Sequence, residues 1–449
     1  MIGFNLGQLP FTYLGVPIFK GRPKSIHFQH IADRVKLKLA AWKASLLSIA
    51  GRIQLVKSVV HGMLIHSFSV YSWPVSLIRD IERCIKNFIV SGDITKRKLV
   101  TISWKKICKS YEEGGLGLRS LITINEAYNL KNCWNLFNSK ESWAIILRDR
   151  ALRQNSCIHH HIYSSLWYGM KNDYNGIIEN STFMIGNGEK DKWCGDSLCI
   201  SLHIPQHLHS LLSAKVSDFI NNFQWNIPWF LELSFPNLRS LIQQVIIPAD
   251  NRMDKIIWNH SPSGDLNLKD AYTFKSNHSP VSHWAQSIWH RNIPPSKSLV
   301  AWRLMHDKMP TNENLIRRGC CLPSICNLCL NNQETSFHIF FDCPYAIKIW
   351  TWLSTTININ LHFNNITEIW QVCDRRWTPQ CKIVIKAAIV NFIATIWFVR
   401  NQARFNNNII QWKSTIAYII SSVTISGNNT SCTSYSSMCL TLLSLRSSR

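Results

Sequence analysis

Cys326, Cys329, His338 and Cys343 are the residues of this chain whose types and spacing point most directly to chemistry. Cys326-Asn327-Leu328-Cys329 is a Cys-x-x-Cys knuckle, a spacing that turns two thiolates toward one ion while backbone N–H groups of the turn support the sulfurs. His338 and Cys343 follow at separations that complete a set of four soft or borderline ligands. Three thiolates and one imidazole make a closed tetrahedral zinc site with no open position for a reacting water, so the expected role of zinc is structural. Two alternatives stand beside this reading. The four residues are unrelated buried side chains, free cysteine being among the most buried residue types, or Cys320 or Cys321 takes the place of one ligand.

Other groupings carry less. His159-His160-His161 sends three imidazoles in different directions on either a helix or a strand, which favours a solvated loop. Glu189, Asp191 and Asp196 are close in sequence but flank a turn among lysines. Gly114-Gly115-Leu116-Gly117 lacks the lysine and the strand-to-helix setting of a phosphate loop and reads as a turn. No Gly-x-Ser-x-Gly elbow is present.

The elements that must position the quartet are mainly helical. Glu334 to Phe341 suits a helix that carries His338; Pro344 ends it near Cys343 and starts another with Ile347, Ile349 and Trp350, so a metal at that elbow pins two helices to the knuckle. Upstream, Ile31, Val35 and Leu39, then Ile53, Val56, Val60 and Leu64, recur at helical spacing and predict two helices, with Arg34, Lys36, Lys38, Arg52 and Lys57 largely off the apolar stripe. A helix over 75–90 follows Pro74, and another runs through Ala127, Leu130 and Trp134. In the middle, Phe183-Met184-Ile185 leading into Gly186-Asn187-Gly188, with Trp193 and Cys194 beyond, reads as a hairpin. Ile256-Ile257-Trp258, the turn 261–264 and Leu266 repeat that pattern, and Ala271 to Phe274 looks like the start of a helix. The stretch 204–248 is a weakly helical connector, and after Ser421 the Ser-, Thr- and Asn-rich composition predicts a disordered tail.

Composition bounds the partners. The 449 residues hold 49 Lys and Arg against 26 Asp and Glu, a formal charge of +23, which attracts polyanions and makes nucleic acid the expected partner. Anionic membrane is disfavoured because the cations are spread along the chain. Ala387 to Val399, the most apolar run, is shorter than a bilayer span, contains Asn391 and reads as a buried helix. No basic-then-apolar leader opens the sequence, so an intracellular setting, nucleus or cytoplasm, is expected and the 15 cysteines are read as thiols or ligands. Arg52 and Lys57, near Trp42, are candidates for contact with a phosphate backbone; Arg303, Arg317 and Arg318, with Trp302, could pair phosphate and stack bases near the zinc unit. Protein partners are a further possibility, and the oligomeric state is left open.

The quartet, taken with Trp284, Ile288-Trp289, Pro294-Pro295-Ser296-Lys297, Trp302-Arg303, Pro310-Thr311 and the stretch 315–319, resembles the reverse transcriptase zinc-binding region of plant non-LTR (LINE-type) retrotransposon proteins. Phe11-Thr12-Tyr13-Leu14-Gly15-Val16-Pro17 is similar to the segment that follows the polymerase palm in those elements. Trp42, the stretches 47–52 and 55–59, Pro74 and Gly114 to Gly117 extend the similarity through a thumb-like region; Ile185 to Gly188, Trp193 and Asp196 extend it into the centre. The resemblance implies an RNA-directed DNA polymerase context, but the aromatic-x-Asp-Asp turn of that family has no counterpart here, since no Asp-Asp dipeptide occurs, and 405–449 holds no Asp or Glu for a ribonuclease H centre. The chain is therefore expected to be no enzyme by itself. The expected fold is mainly α with small β-hairpin regions (α+β), multi-domain: a helical thumb-like region over 1–150, a mixed connector over 151–275, the zinc-stapled helical module over 276–360, C-terminal helices over 361–420 and the tail over 421–449. The competing functions are a zinc-stapled protein-interaction scaffold and an accessory part of an RNA-directed DNA polymerase whose palm is missing from this sequence.

Overall fold

The structure is a computed structural model that describes residues 8–42, 46–153, 156–158, 162–188, 202–204, 214–222, 224–243, 245–248, 254–290 and 292–428. It is mostly helical, with two-stranded antiparallel sheets, and the chain divides into two compact units: 1–27 with 67–73 and 123–276, and 28–66 with 74–122 and 277–449.

In the first of these units, the helix Leu121–Asn138 buries Ala127, Leu130, Cys133 and Trp134 at helical spacing. Against them pack Leu147, Trp167, Met170, Ile177, Trp258 and Ala271. Trp258 is fully buried and meets Trp134 edge-on, ring centroids 6.0 Å apart. Of the hairpin expected around Gly186-Asn187-Gly188, the described residues include the first strand and the turn. Strand Ser181–Met184 pairs antiparallel with the distant strand Lys255–Trp258, Ser181 opposite Trp258 and Met184 opposite Lys255. The glycine turn delivers the N–H groups of Gly186 and Gly188 to the carboxylate of Asp254, at 2.6 and 2.8 Å, and Asp254 leads into the partner strand. Trp193, Cys194 and the three carboxylates Glu189, Asp191 and Asp196 lie outside the described residues, as does His159 to His161. The second expected hairpin survives as its turn only: Gly264 donates to Ser261 O and Trp258 N–H to Gly264 O. The helix that follows, Leu268–Lys275, begins earlier than expected because Asn267 caps it, accepting from Asp270 N–H at 2.9 Å. A short hairpin not foreseen pairs Phe11–Tyr13 with Val16–Ile18 through Leu14 and Gly15, both at positive φ, the backbone of a tight two-residue turn.

The other unit carries the quartet. The helix Ser25–Ala41 contributes Phe28, Ile31, Ala32, Val35 and Leu39 to its core. The helices Ile49–Leu55, capped by Ser48, and His61–Phe68 are joined by a π-helical turn, Val56–Val60. Val75–Ser91 follows Pro74 and stops at Gly92, whose φ of 80° breaks the helix. The longest helix, Pro379–Asn406, starts on a Thr378 cap and packs against Pro295–Met305, Trp412–Asn428, the 3-10 segment Ile366–Asp374 and the π turn His338–Asp342. It is long and apolar enough to cross a bilayer, yet 67% of its most apolar window is buried within the fold, so Ala387 to Val399 is a core helix here. The helix Trp412–Asn428 continues past 421, where a disordered tail was expected to begin; Ile416, Ile419 and Val423 are buried along it at helical spacing. Residues 429–449 lie outside the described ones.

Candidate metal centre

The knuckle is a backbone construction. Cys326 N–H donates to Asn332 O at 2.8 Å, Leu330 N–H to Cys326 O at 2.9 Å, and a bridge between Ile325 and Gln333 closes the loop. Leu330 adopts a φ of 59°, the left-handed conformation that lets the chain double back directly after Cys329. The N–H of Leu328 points at Cys326 Sγ, 3.4 Å away, the support a thiolate needs.

His338 and Cys343 come from a π-helical turn, His338–Asp342. Residues five apart on an α-helix lie roughly 140° apart around its axis, on nearly opposite faces. The wider π turn, closed here by Cys343 N–H donating to His338 O at 2.7 Å, brings the two round to one side. Cys343 then leaves helical backbone, with a ψ of 131°, and Pro344 opens Pro344–Ile357. The sequence placed the stop correctly; the π turn, which carries the ligand geometry, has no signature in residue types.

Together the four donor atoms lie within 4.8 Å of one another. Cys326 Sγ is 4.0 Å from Cys343 Sγ, and Cys329 Sγ is 3.4 Å from His338 Nε2. A tetrahedron with metal–sulfur bonds of about 2.3 Å has edges of about 3.8 Å, which these separations bracket. Cys326 and Cys343 are fully buried, His338 is nearly so, and Cys329 is partly exposed. Electrostatics agree with the donor set. The Cys343 thiol, ahead of the N–H groups of Leu328 and Cys329, holds Cys326 down at about 5, while the same pairing pushes Cys343 up. Cys320 and Cys321 lie outside the converging set.

A support shell that sequence reasoning missed holds the knuckle from behind. Glu334, fully buried, accepts Asn312 N–H at 2.9 Å and is clasped by Arg400 of the long helix, Nε to Oε2 at 3.0 Å with a second, closer contact from Nη2 to Oε1. Arg400 is itself 1% exposed and lies over the Trp397 ring, 4.8 Å from its centroid. Asn312 returns a bond to Pro323 O at 2.8 Å, so acid, arginine and amide tie the loop before the knuckle to the core. The available signal was a lone arginine ending the apolar run and an acid just after the Cys-x-x-Cys.

The cations proposed for backbone contact are largely engaged within the fold. Arg52 donates to Ile89 O at 3.1 Å. Lys57 donates to Leu116 O at 2.9 Å and to Tyr111 Oη at 3.2 Å, with its ammonium 4.8 Å from that ring's centroid. Arg303 bonds Lys308 O, and desolvation lowers its pKa. Arg317 pairs with Glu313 and, at 3.5 Å, with Asp307. Arg318 is exposed and forms no ion pair with a described residue. Trp302 is in the core, its indole N–H bonded to Gly114 O at 2.7 Å, with no face free to stack a base.

Residues 267–350 match the family model described as zinc-binding in reverse transcriptase. This reverse transcriptase zinc-binding match spans all four converging ligands together with Asn312 and Glu334 of the support shell. Over 353 residues the chain is 24% identical to an Arabidopsis thaliana protein described as a "putative ribonuclease H protein", an alignment covering 75% of this chain and 57% of that relative. The chain thus spans a little over half the length of the relative it matches.

Proposed function

We propose that this chain holds a structural zinc ion through Cys326, Cys329, His338 and Cys343, and that it serves as the nucleic-acid-associated part of a non-LTR reverse transcriptase without a polymerase or ribonuclease H centre of its own. The observation that carries the proposal is the convergence of four donors on one point within a segment that matches a zinc-binding family. All four positions are protein ligands, so bound zinc holds the fold together and polarises no water. The net charge of +23 supports the association with nucleic acid, and the lack of any Asp-Asp dipeptide supports a non-catalytic role. An intracellular setting follows from the same reading, since three thiolate ligands need a reducing compartment to stay free of disulfide.

The scaffold reading is favoured by one specific observation: Arg52, Lys57 and Arg317 spend their donors on the chain's own carbonyls and carboxylates. Filter binding of a template–primer duplex over a salt series separates the two. The proposal expects affinity to fall steeply with salt as counterions are released; absent or salt-insensitive binding, with protein partners retained after nuclease treatment, supports the scaffold instead. Primer extension by the purified chain should show no nucleotide incorporation, and measurable incorporation contradicts the non-catalytic assignment.

A further inference from the structure

The helix Val75–Ser91 and the segment 94–104 enclose a half-open groove of about 710 Å³. Its walls carry Arg79, Arg83, Lys86, Arg97 and Lys98 against the single carboxylate of Glu82. Arg79, Arg83 and Lys86 follow one another at spacings of four and three, so they form a stripe along one helix face. Arg97 and Lys98 are exposed on the facing segment.

The acids nearby are already spent. Glu82 is buried and accepts the Ser120 hydroxyl at 2.9 Å and Leu121 N–H at 2.8 Å. Asp80 is held by Lys36 at 2.5 Å and by Arg83. Asp93 accepts Thr95 N–H at 2.9 Å and lies 3.5 Å from Lys96. Among the described residues, Arg79, Lys86, Arg97 and Lys98 form no ion pair. Burial, and after it the neighbouring Arg97, hold the Lys86 ammonium below its usual range, as the approach of a like charge does. Trp104, in the same lining, has an indole N–H shielded from water and without an acceptor. Cations without an ion partner on two facing walls are the arrangement that an extended anion with many oxygens relieves.

We infer that this groove binds the phosphodiester backbone of a nucleic-acid strand. The inference rests on the nucleic-acid reading above and gives it a location that Arg52, Lys57 and Arg303 do not provide. A concave channel admits a strand between its walls, whereas a flat bilayer surface meets only the rims. Contact is with phosphate, so it positions the strand without reading its sequence.

The test uses the zinc-loaded full chain and fluorescence anisotropy of labelled DNA duplex and single-stranded RNA over a salt series. The groove variant Arg79→Gln/Arg97→Gln/Lys98→Gln changes exposed side chains only. A control, Lys269→Gln/Arg375→Gln/Arg376→Gln, removes the same charge from exposed positions elsewhere. The groove variant should lose tenfold or more in affinity, with the slope of log K against log salt shallower by about 2 to 3, while the control stays within about threefold of wild type. Equal losses in both variants, or wild-type binding by the groove variant, overturn the inference and leave the broader reading in place. Absence of salt-dependent binding by the wild type removes both. Loss of binding to phosphatidylserine vesicles in the groove variant, with duplex binding intact, assigns the groove to lipid and overturns it as well.

Discussion

Glu334 and Arg400 form a pair with both charges out of water, so each depends on the other. Glu334→Gln keeps the shape but strands the Arg400 charge, and breaking a buried pair from one side costs about 3–5 kcal/mol. Denaturant unfolding should show that loss, and an unchanged midpoint would mean that the pair is not closed in solution. A second residue acts through pH. Burial first, then Arg119 and Lys57, lower His61 to about 4 from an ordinary 6.5. The folded chain keeps this imidazole neutral while the unfolded chain takes up a proton, so stability is lost as pH falls from about 6.5 to about 4 and levels off below. His61→Gln should flatten that part of the stability profile relative to wild type; parallel profiles would show that His61 titrates normally. The quartet was legible in the sequence because coordination restricts residue type and spacing together. Arg400 was not, because an arginine in an apolar run carries no mark of the acid it will meet 66 positions away.

At the scale of elements, two glycines make opposite predictions. A Cβ on Gly115 would sit 2.1 Å from the carbonyl oxygen of Lys109, inside the turn whose Gly114 carbonyl accepts both Trp302 and His306. Gly115→Ala forces that turn apart and should cost about 1–3 kcal/mol or more. Gly62 lies in a helix with open space around it, so Gly62→Ala should gain up to about 1 kcal/mol from reduced chain entropy. Thermal unfolding of the two variants checks both, and shifts of the same sign contradict the packing described. Helices were read well from the sequence because their apolar period is local: Ile31, Val35 and Leu39 declare a face without reference to anything distant. The pairing of Ser181–Met184 with Lys255–Trp258 was not, since a strand's distant partner is chosen by the whole fold, as is the contact of the Gly-Asn-Gly turn with Asp254. The end of Trp412–Asn428 was misplaced for a related reason, as buried Val423 outweighs the polar composition around it.

For the molecule as a whole, the charge of +23 supports the proposed nucleic-acid partner, but its sign alone does not say which cations are free to meet one. Arg52 and Lys57 are consumed by the fold, while Arg79 and Lys86 on Val75–Ser91 and the facing Arg97 and Lys98 form no ion pair among the described residues. On the proposed reading, a zinc ion held by Cys326, Cys329, His338 and Cys343 ties the knuckle to the π turn and to the start of Pro344–Ile357, adding to the hold of Glu334, Arg400 and Asn312 from behind. Metal content of the purified chain, measured by mass spectrometry beside a chelation melt, tests this most directly. One zinc per chain is expected, lost in Cys326→Ser and His338→Ala alike, with chelation lowering the unfolding temperature; a metal-free chain that folds and melts identically with and without chelator would contradict the account.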